Sequence, residues 1–275
     1  LVLTRVTFFV LIAFSVAACE AITDVTVINS RPTQWLLPSA LSEASGLAPA
    51  ANNTVYLHND ELGEVYRFNP RTNSIFKVAS ISWPPVGEDF EGIAGYGTSL
   101  FLITSDSRLF EIRDFAPREH HQVVGARRIS TGLENQCEFE GLYNLAGKLL
   151  MPCKESKSDQ NPNLFRVFAY DIKTEKVSEF LELDPDKIEG VEIVAATAFE
   201  ANSTHYFVVS ENYLITIDRD TLNGEAIKLS SELHKQVEGI TFLDDGTVIV
   251  VEDNRRGLAR LTQYASLEEL ISLNL

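Results

Sequence analysis

The chain has 275 residues, of which 45% are hydrophobic, and a formal net charge of −16. This length allows one large domain or two small ones, and the apolar content is ordinary for a globular core. The negative charge argues against nucleic acid and against an anionic membrane surface as partners, because both attract basic proteins; it permits cations.

Residues 1–19 are predicted to be a targeting segment rather than part of the fold. Arg5 supplies a short positive region, and the apolar run at 6–16 is too short to be a membrane-spanning helix. The stretch VAAC at 16–19 resembles the lipobox of bacterial lipoproteins, in which cleavage before the cysteine frees it for lipidation. The alternative is an ordinary signal peptide in which Cys19 is incidental.

Lipidation of Cys19 would fix the compartment of the mature protein. Glu20 is not the aspartate that resembles an inner-membrane retention signal, so we expect the outer membrane, with the protein facing the periplasm. Contact with the membrane is expected only through the lipid anchor. Residues 20–275 are then predicted to form a single domain.

A glutamate followed by glycine and an aliphatic residue recurs along the rest of the chain. Four copies begin at Glu91, Glu140, Glu189 and Glu238, and a degenerate copy, Ser45-Gly46-Leu47, precedes them. The glycines stand at 46, 92, 141, 190 and 239, so three of the four steps are 49 residues. A period of this size is typical of propellers and solenoids.

The content of each copy predicts four antiparallel strands. The first strand of each repeat is expected directly after the glycine, at Leu47, Ile93, Leu142, Val191 and Ile240. The second strands read TVYLHN (54–59), SLFLITS (99–105), KLLMPC (148–153), HYFVVS (205–210) and TVIVVE (247–252). The predicted third strands include LARLTQY (258–264), and the predicted fourth strands include QVVGARRI (122–129). Strands of this composition joined by hairpin turns form propeller blades.

The fifth copy ends after its third strand, which leaves one position in the last blade to be filled. We expect DVTVINS at 24–30 to supply that outer strand, because closure by the other terminus removes an open sheet edge. The predicted fold is therefore all-β, a β-propeller of five four-stranded blades, with a short helix at 266–273. Six blades remain the alternative, since a weak repeat at either end can escape notice.

Cys137 and Cys153 form an even pair if Cys19 carries lipid. They stand on either side of the turn at 145–147, and the two ends of an antiparallel hairpin are neighbours. In an oxidising compartment this placement predicts a disulfide. A metal pair or a reactive thiol has no further histidine or cysteine nearby to support it.

These features resemble a known family. The Glu-Gly-aliphatic starts of the blades, the acid-ended second strands and the stretch CEFEGL…LLMPCKES at 137–156 are similar to the SdiA-regulated family of bacterial propellers, a group related to phytase-like and NHL-type propellers. The resemblance covers residues 40–262 and is strongest in the second, third and fifth repeats. It implies a calcium-binding propeller and no settled biochemical activity.

The repeated glutamates are the main candidates for a functional site. In a propeller the first strand of each blade lines the axial channel, so Glu91, Glu140, Glu189 and Glu238 are expected to form a ring, with Ser45 in the fifth place. Crowded carboxylates must be paired, protonated or bound to a metal. Calcium, a hard cation that prefers oxygen ligands, is the predicted cofactor. The alternative is that these acids only accept hydrogen bonds from backbone N–H groups of the next blade.

A second tier of acids ends the second strands or follows them. Antiparallel pairing places these residues at the same rim of the channel as the glutamates. They are Asp60, Glu61, Asp106, Glu155, Glu211, Glu252 and Asp253.

Two functions fit this sequence. The first is an envelope-anchored module that binds a small molecule or a protein partner and holds calcium in its acidic channel; a monomer is expected. The second is a metal-dependent hydrolase of phosphoesters, lactones or carboxylesters at the channel mouth. The chain has neither a G-x-S-x-G nor an H-E-x-x-H motif, so the sequence leaves open whether it is an enzyme.

Overall fold

A computed structural model of the protein describes residues 25–116, 121–157, 163–192, 194–210, 212–253 and 257–274. These residues form five sheets of mainly antiparallel strands, arranged as the five blades of a β-propeller. The predicted fold class and blade number are confirmed. In the described part of the chain, no helix has the length and apolar character needed to span a bilayer.

The strands follow one another blade by blade. The N-terminal strands are β1 (Thr26–Ser30) and β2 (Thr33–Leu36). Blade 1 contains β3 (Ala44–Ala50), β4 (Thr54–Asn59), β5 (Glu64–Asn69) and β6 (Ser74–Ile81). Blade 2 contains β7 (Phe90–Tyr96), β8 (Ser99–Thr104), β9 (Leu109–Ile112) and β11 (Arg127–Ile129), whereas β10 (Gln122–Val124) pairs with β6 of blade 1.

The remaining blades each have five strands. Blade 3 contains β12 (Cys137–Phe139), β13 (Tyr143–Leu145), β14 (Lys148–Ser156), β15 (Phe165–Asp171) and β16 (Lys176–Leu183). Blade 4 contains β17 (Ile188–Glu189), β18 (Ala196–Ala201), β19 (His205–Ser210), β20 (Tyr213–Asp218) and β21 (Gly224–Lys228). Blade 5 joins β22 (Gln236–Phe242), β23 (Val248–Asp253) and β24 (Arg260–Tyr264) to β1 and β2. The helix α1 (Leu267–Asn274) follows, close to the predicted position.

The N-terminal chain closes blade 5, as predicted, but it supplies two strands instead of one. β2 pairs antiparallel with β24, and β1 lies outside β2 at the sheet edge. The stretch predicted as the outer strand, 24–30, is thus the outermost strand of the last blade, and the prediction missed β2, which lies between it and β24. Trp35 of β2 explains the difference: it is 1% exposed and packs edge-on against Phe68 at 5.1 Å, whereas Val27 and Ile28 of β1 stay exposed. Burying the larger aromatic surface stabilises β2 in the inner position.

The fourth repeat also departs from the prediction. Its innermost strand is β18, not a strand starting at Val191. The Glu189-Gly190 pair is exposed, and Glu189 belongs to β17, which runs parallel to β21 at the outer edge of the blade. Ala196 and Phe199 of β18 are buried instead, so core packing selects the later segment.

The predicted strand at 122–129 is divided between two blades. Gln122–Val124 pair in parallel with β6, and Arg127–Ile129 pair antiparallel with β9. Only the second half therefore serves as the fourth strand of blade 2, and the first half extends blade 1.

The recurrent glycines mark the places where the inner strands of adjacent blades touch. A Cβ atom on Gly92 would lie 2.6 Å from the carbonyl carbon of Gly141, and one on Gly141 would lie 3.2 Å from the Cα of Ala198. Cβ atoms on Gly239 and Gly46 would lie 3.1 Å from the Cα atoms of Gly46 and Gly92, respectively. We call these five residues the axial ring. Absence of a side chain lets the backbones approach this closely.

The disulfide between Cys137 and Cys153 is present, as predicted. The sulfur atoms are 2.10 Å apart and the Cα atoms 5.5 Å apart. The bond joins β12 to β14 beside the pairing of Phe139 with Cys153. It thus fixes the strand that ends just before Glu140 to the strand that carries Lys154.

Candidate functional site

One cavity lies on the side of the axial ring where the inner strands begin. Its volume is about 150 Å³. Its walls are mostly acidic or polar: Glu43, Ala44, Ser45, Asp60, Glu91, Glu140, Gln236, Glu238 and Asp253. We call this cavity the acidic pocket. Six of the sequence-predicted site residues meet here: Ser45, Asp60, Glu91, Glu140, Glu238 and Asp253.

β-Bulges in the inner strands place the glutamates. The pairing of β7 with β8 shifts between Phe90 and Gly92, which leaves Glu91 as the extra residue. The pairing of β22 with β23 shifts in the same way around Glu238. Because a bulge re-aims the extra side chain, the Glu-Gly pairs of blades 2 and 5 direct a carboxylate into the pocket while the glycine contacts the next blade.

The glutamate ring predicted from the sequence was wrong in blade 4. The corresponding bulge of β18 holds Thr197, between Ala196 and Ala198. Its hydroxyl donates to the carbonyl oxygen of Val237 at 2.7 Å, so this position braces blade 4 against blade 5. Glu189 is on the outer strand and does not line the pocket.

Glu91 and Glu238 are both held in a strongly acidic surrounding. The Ser45 hydroxyl donates to Oε2 of Glu91 at 3.0 Å, and the Gln236 amide donates to Oε1 of Glu238. Burial, followed by the negative charge of Glu140, raises the pKa of Glu91 to about 9. The same two causes raise the pKa of Glu238 to about 8. Both carboxyls therefore bind protons near neutral pH unless another cation compensates them.

Glu140 is the most buried of the three glutamates, with 6% of its surface exposed. Lys154 donates to its Oε1 atom, and this partner opposes the rise in pKa that burial causes. Oε2 of Glu140 and Oδ1 of Asp60 are buried and have no hydrogen-bond partner in the described part of the chain. Burial, aided by Glu43, raises the pKa of Asp60 to about 6. The pocket therefore contains carboxylate oxygens that its own side chains do not satisfy.

Two rim acids predicted from the sequence are engaged in ion pairs outside the pocket. Glu252 is buried and pairs with Arg260, with 2.8 Å between Oε1 and Nε, and its Oε2 accepts the backbone N–H of Lys235 at 2.7 Å. Asp106 pairs with Arg108 at 2.9 Å. Both acids are already neutralised by arginines and hold loops of their own blades.

The remaining predicted residues lie elsewhere. Glu61 and Glu155 are exposed and do not line the pocket. Glu211 and Cys19 lie outside the described residues.

Sequence reasoning missed Glu43 and Gln236 in the wall of the pocket. Each stands three residues before a glycine of the axial ring. Asp89 and Glu138 occupy the same offset, and their charges help to raise the pKa of Glu140. A polar residue three positions before the glycine therefore recurs in the sequence, and this recurrence could have indicated the further wall residues.

The acids line one cavity without converging on a point. As placed, no three histidine, cysteine, aspartate or glutamate side chains of the described residues are grouped closely enough to hold a metal ion. Binding of an ion in this pocket therefore requires rotation of its side chains. Glu43 is the exposed acid in the wall, so its side chain can rotate at the least cost.

Comparison with known proteins supports the fold. Neither a family model nor a curated protein sequence matches the chain. Among solved structures, a glutaminyl cyclase from Myxococcus xanthus has a TM-score of 0.55 at 14% identity, with 87% of this chain and 94% of that one covered.

Two further similar structures are enzymes of other kinds. A gluconolactonase from Xanthomonas campestris gives a TM-score of 0.53 at 10% identity, covering 90% of this chain and 96% of that one. The PQQ-bound aldose sugar dehydrogenase from Streptomyces coelicolor gives 0.51 at 10% identity, covering 90% and 99%. At such identities the likeness shows the propeller fold alone. This fold occurs in enzymes and in binding modules, so it does not decide between them.

Proposed function

We propose that this chain is a calcium-binding propeller of the bacterial envelope, exported and lipid-anchored through Cys19, that serves as a ligand- or partner-binding module. The observation that carries the proposal is the acidic pocket, in which Glu91, Glu140 and Glu238 face one cavity. Membership of the SdiA-regulated family is part of the proposal and rests on the sequence resemblance.

The hydrogen bonds of the three glutamates favour a cation over a purely structural role. In the described part of the chain their partners are side chains, of Ser45, Gln236 and Lys154. If the acids only braced adjacent blades, their carboxylates would be expected to accept backbone N–H groups across the blade junctions. Oδ1 of Asp60 and Oε2 of Glu140 are buried and have no partner in the described part of the chain. A buried carboxylate without a partner is costly, and a bound cation offsets that cost.

The donor set and the size of the pocket favour calcium among divalent cations. All the acidic and polar side chains in the wall offer oxygen atoms, which are the ligands of hard cations. Calcium accepts irregular shells of roughly six to eight oxygens, whereas magnesium demands a tight octahedron. A volume of about 150 Å³ corresponds to roughly five water-sized particles, enough for an ion and part of its hydration shell.

Export is supported by the disulfide between Cys137 and Cys153. Such bonds persist in oxidising compartments such as the periplasm and are rare in the cytosol. The lipid anchor rests on the VAAC stretch at 16–19.

Melting curves with EDTA and with calcium test the proposed site. Calcium that binds only the folded state stabilises it by RT ln(1 + [L]/Kd), about 2.7 kcal/mol at a hundredfold excess over Kd. EDTA should therefore lower the Tm of the wild-type protein, and calcium should restore it better than magnesium does. Glu91→Gln should remove most of this response.

Glu189→Gln is the matched control, since it makes the same chemical change on an exposed outer strand. Its calcium response should equal that of the wild type. A wild-type Tm that neither EDTA nor calcium moves, together with no metal in elemental analysis, would contradict the proposal.

A hydrolase at the mouth of the acidic pocket is the second candidate. It is favoured by the raised pKa of Glu238, about 8, because a carboxyl that titrates near neutral pH can act as a general acid or base. A panel of phosphoesters, lactones and carboxylesters, assayed with and without calcium, tests it. Turnover that Glu238→Gln abolishes would establish an enzyme, and no turnover across the panel would leave the binding module.

A further inference from the structure

A second cavity lies on the opposite side of the axial ring. Its volume is about 230 Å³, and it shares no lining residue with the acidic pocket. Its wall is mainly apolar and includes Leu47, Ile93, Leu142 and Phe242. We call it the channel cavity. The two ends of the propeller axis thus have different chemistry.

One carboxyl interrupts the apolar wall of the channel cavity. Glu200, on β18, is 5% exposed, and Thr241 of blade 5 donates to its Oε1 atom at 3.0 Å. Burial raises the pKa of Glu200 to about 8. In the described part of the chain, Glu200 forms no ion pair with lysine, arginine or histidine. An acid in such a place is costly to ionise unless a cation joins it.

The other polar side chains of the channel cavity are engaged with the backbone. The Tyr143 hydroxyl donates to the carbonyl oxygen of Ala201 at 2.9 Å, and the Asn144 amide donates to that of Gly95 at 2.8 Å. A ligand that enters the cavity therefore meets apolar side chains and one carboxyl. This arrangement complements a molecule with a short apolar body and one positive charge.

We propose that the channel cavity binds a small apolar amine, with the ammonium group on Glu200 and the alkyl group against Leu47, Leu142 and Phe242. The cavity is smaller than the roughly 300–1,000 Å³ of drug-sized sites, so the buried part of the ligand has only a few heavy atoms. A larger cleft of about 660 Å³ between blades 1 and 2 adjoins the cavity, and the two share Pro49 and Gly95. A longer amine can extend its tail into this cleft.

Isothermal titration calorimetry with n-butylamine and 1-butanol tests the charge requirement. Near pH 8.5 both Glu200 and the amine are largely charged. The wild-type protein should bind butylamine at least about tenfold more tightly than butanol, since only the amine forms a buried ion pair. Glu200→Gln should lose about that factor for the amine and keep its affinity for the alcohol.

Glu225→Gln is the matched control, an exposed glutamate on β21 of the same blade. It should bind butylamine as the wild type does. Equal butylamine affinity of Glu200→Gln and the wild type, or no binding to the wild type, would mean that Glu200 only braces β18 to β22 through Thr241. That result would overturn the proposal and leave the calcium site at the other mouth unaffected.

A measurement on the wild type keeps the proposal testable if Glu200→Gln does not fold. The side-chain carboxyl carbon of Glu200 can be followed by NMR through a pH titration. Saturating butylamine should lower the titration midpoint, because the bound ammonium group favours the carboxylate. A midpoint that the amine does not move would overturn the proposal.

Discussion

The two carboxylate oxygens of Glu140 lie in different surroundings. Lys154 donates to one of them, and the other is buried without a partner in the described part of the chain. Glu91 and Glu238 share the same cavity. One ammonium group thus lies near the carboxyls of three glutamates, so protons and cations from solution must compensate the remaining charge of these glutamates.

We predict that Lys154→Gln strengthens calcium binding. The ammonium group lies beside Glu140 and repels a second cation, so its removal should raise the affinity by about tenfold or more. Calorimetric titration with calcium measures the change. Lys148→Gln, at the far end of β14 and exposed, should leave the affinity unaltered; a weaker calcium affinity of Lys154→Gln would contradict the prediction.

The raised pKa values predict how stability without calcium depends on pH. Glu91, with a pKa of about 9, and Glu238 and Glu200, both about 8, bind protons more tightly in the folded state than in the unfolded chain. Their contribution to the free energy of unfolding is full at low pH and is lost as the pH rises through those pKa values. The Tm in EDTA should therefore fall as the pH rises from about 6.5 to 9. His58, whose burial lowers its pKa to about 4, affects only lower pH.

Calcium should reduce this pH dependence, since the bound ion favours the ionised carboxyls. Glu91→Gln should reduce it in EDTA, and the exposed Glu189→Gln should not. Melting temperatures at several pH values, with EDTA and with calcium, measure the effect. A Tm in EDTA that rises with pH over this range would be the contrary outcome.

At the scale of the element, the repeated unit is a bulged inner strand in which glutamate and glycine have separate tasks. The bulge turns Glu91 toward the pocket, and Gly92 lets β7 contact blade 3. The backbone N–H of Gly141 also donates to the carbonyl oxygen of Glu91 at 2.7 Å, which ties the two blades at this point. Site geometry and blade packing therefore depend on the same two residues.

We predict that Gly92→Ala destabilises the propeller. Its Cβ would lie 2.6 Å from backbone atoms of blade 3, which cannot move aside as a flexible side chain can. Overpacking of this kind costs roughly 1–3 kcal/mol. Gly95→Ala, on the same strand with 3.8 Å of clearance, should stay within about 0.5 kcal/mol of the wild type. Denaturant unfolding compares them, and equal losses would contradict the role of the axial ring.

The sequence period predicts the strand pattern, and it correctly brings the glutamates of blades 2, 3 and 5 to one cavity, because in these blades the Glu-Gly pair lies at the inner edge of the blade. It fails in blade 4, where Glu189-Gly190 keeps the spacing of 49 but β18, with Thr197 in the bulge, forms the inner strand. Packing of Ala196 and Phe199 decides that choice, and spacing carries no information on it. Trp35 was missed for a related reason, since the four-residue strand TQWL is too short to show a period.

At the scale of the whole molecule, the two mouths of the propeller axis are chemically distinct. One presents the acidic pocket and the other the channel cavity, and the axial ring separates them. The net charge of −16 is thus accompanied by a concentration of acids at one mouth. Because the two cavities share no lining residue, a cation can bind in one while an apolar ligand binds in the other.

We predict that Cys19→Ser releases the protein from membranes. The variant removes the sulfur to which lipid would attach at the VAAC stretch and leaves the described fold unchanged. Cell fractionation with immunoblotting should find the wild type with the outer membrane and the variant in the soluble periplasmic fraction. Fractionation that the substitution does not alter would indicate an ordinary signal peptide.

The closure of blade 5 has a consequence for folding. β2 pairs with β24, and 223 residues separate Leu36 from Arg260 along the chain, at their paired positions. A chain that is synthesised from its N-terminus exposes Trp35 long before the partner strand is made. Contacts of such sequence separation form slowly, and unpaired strand edges invite association with other chains. Trp35 must therefore be kept from contact with other chains until nearly the whole polypeptide is available for pairing.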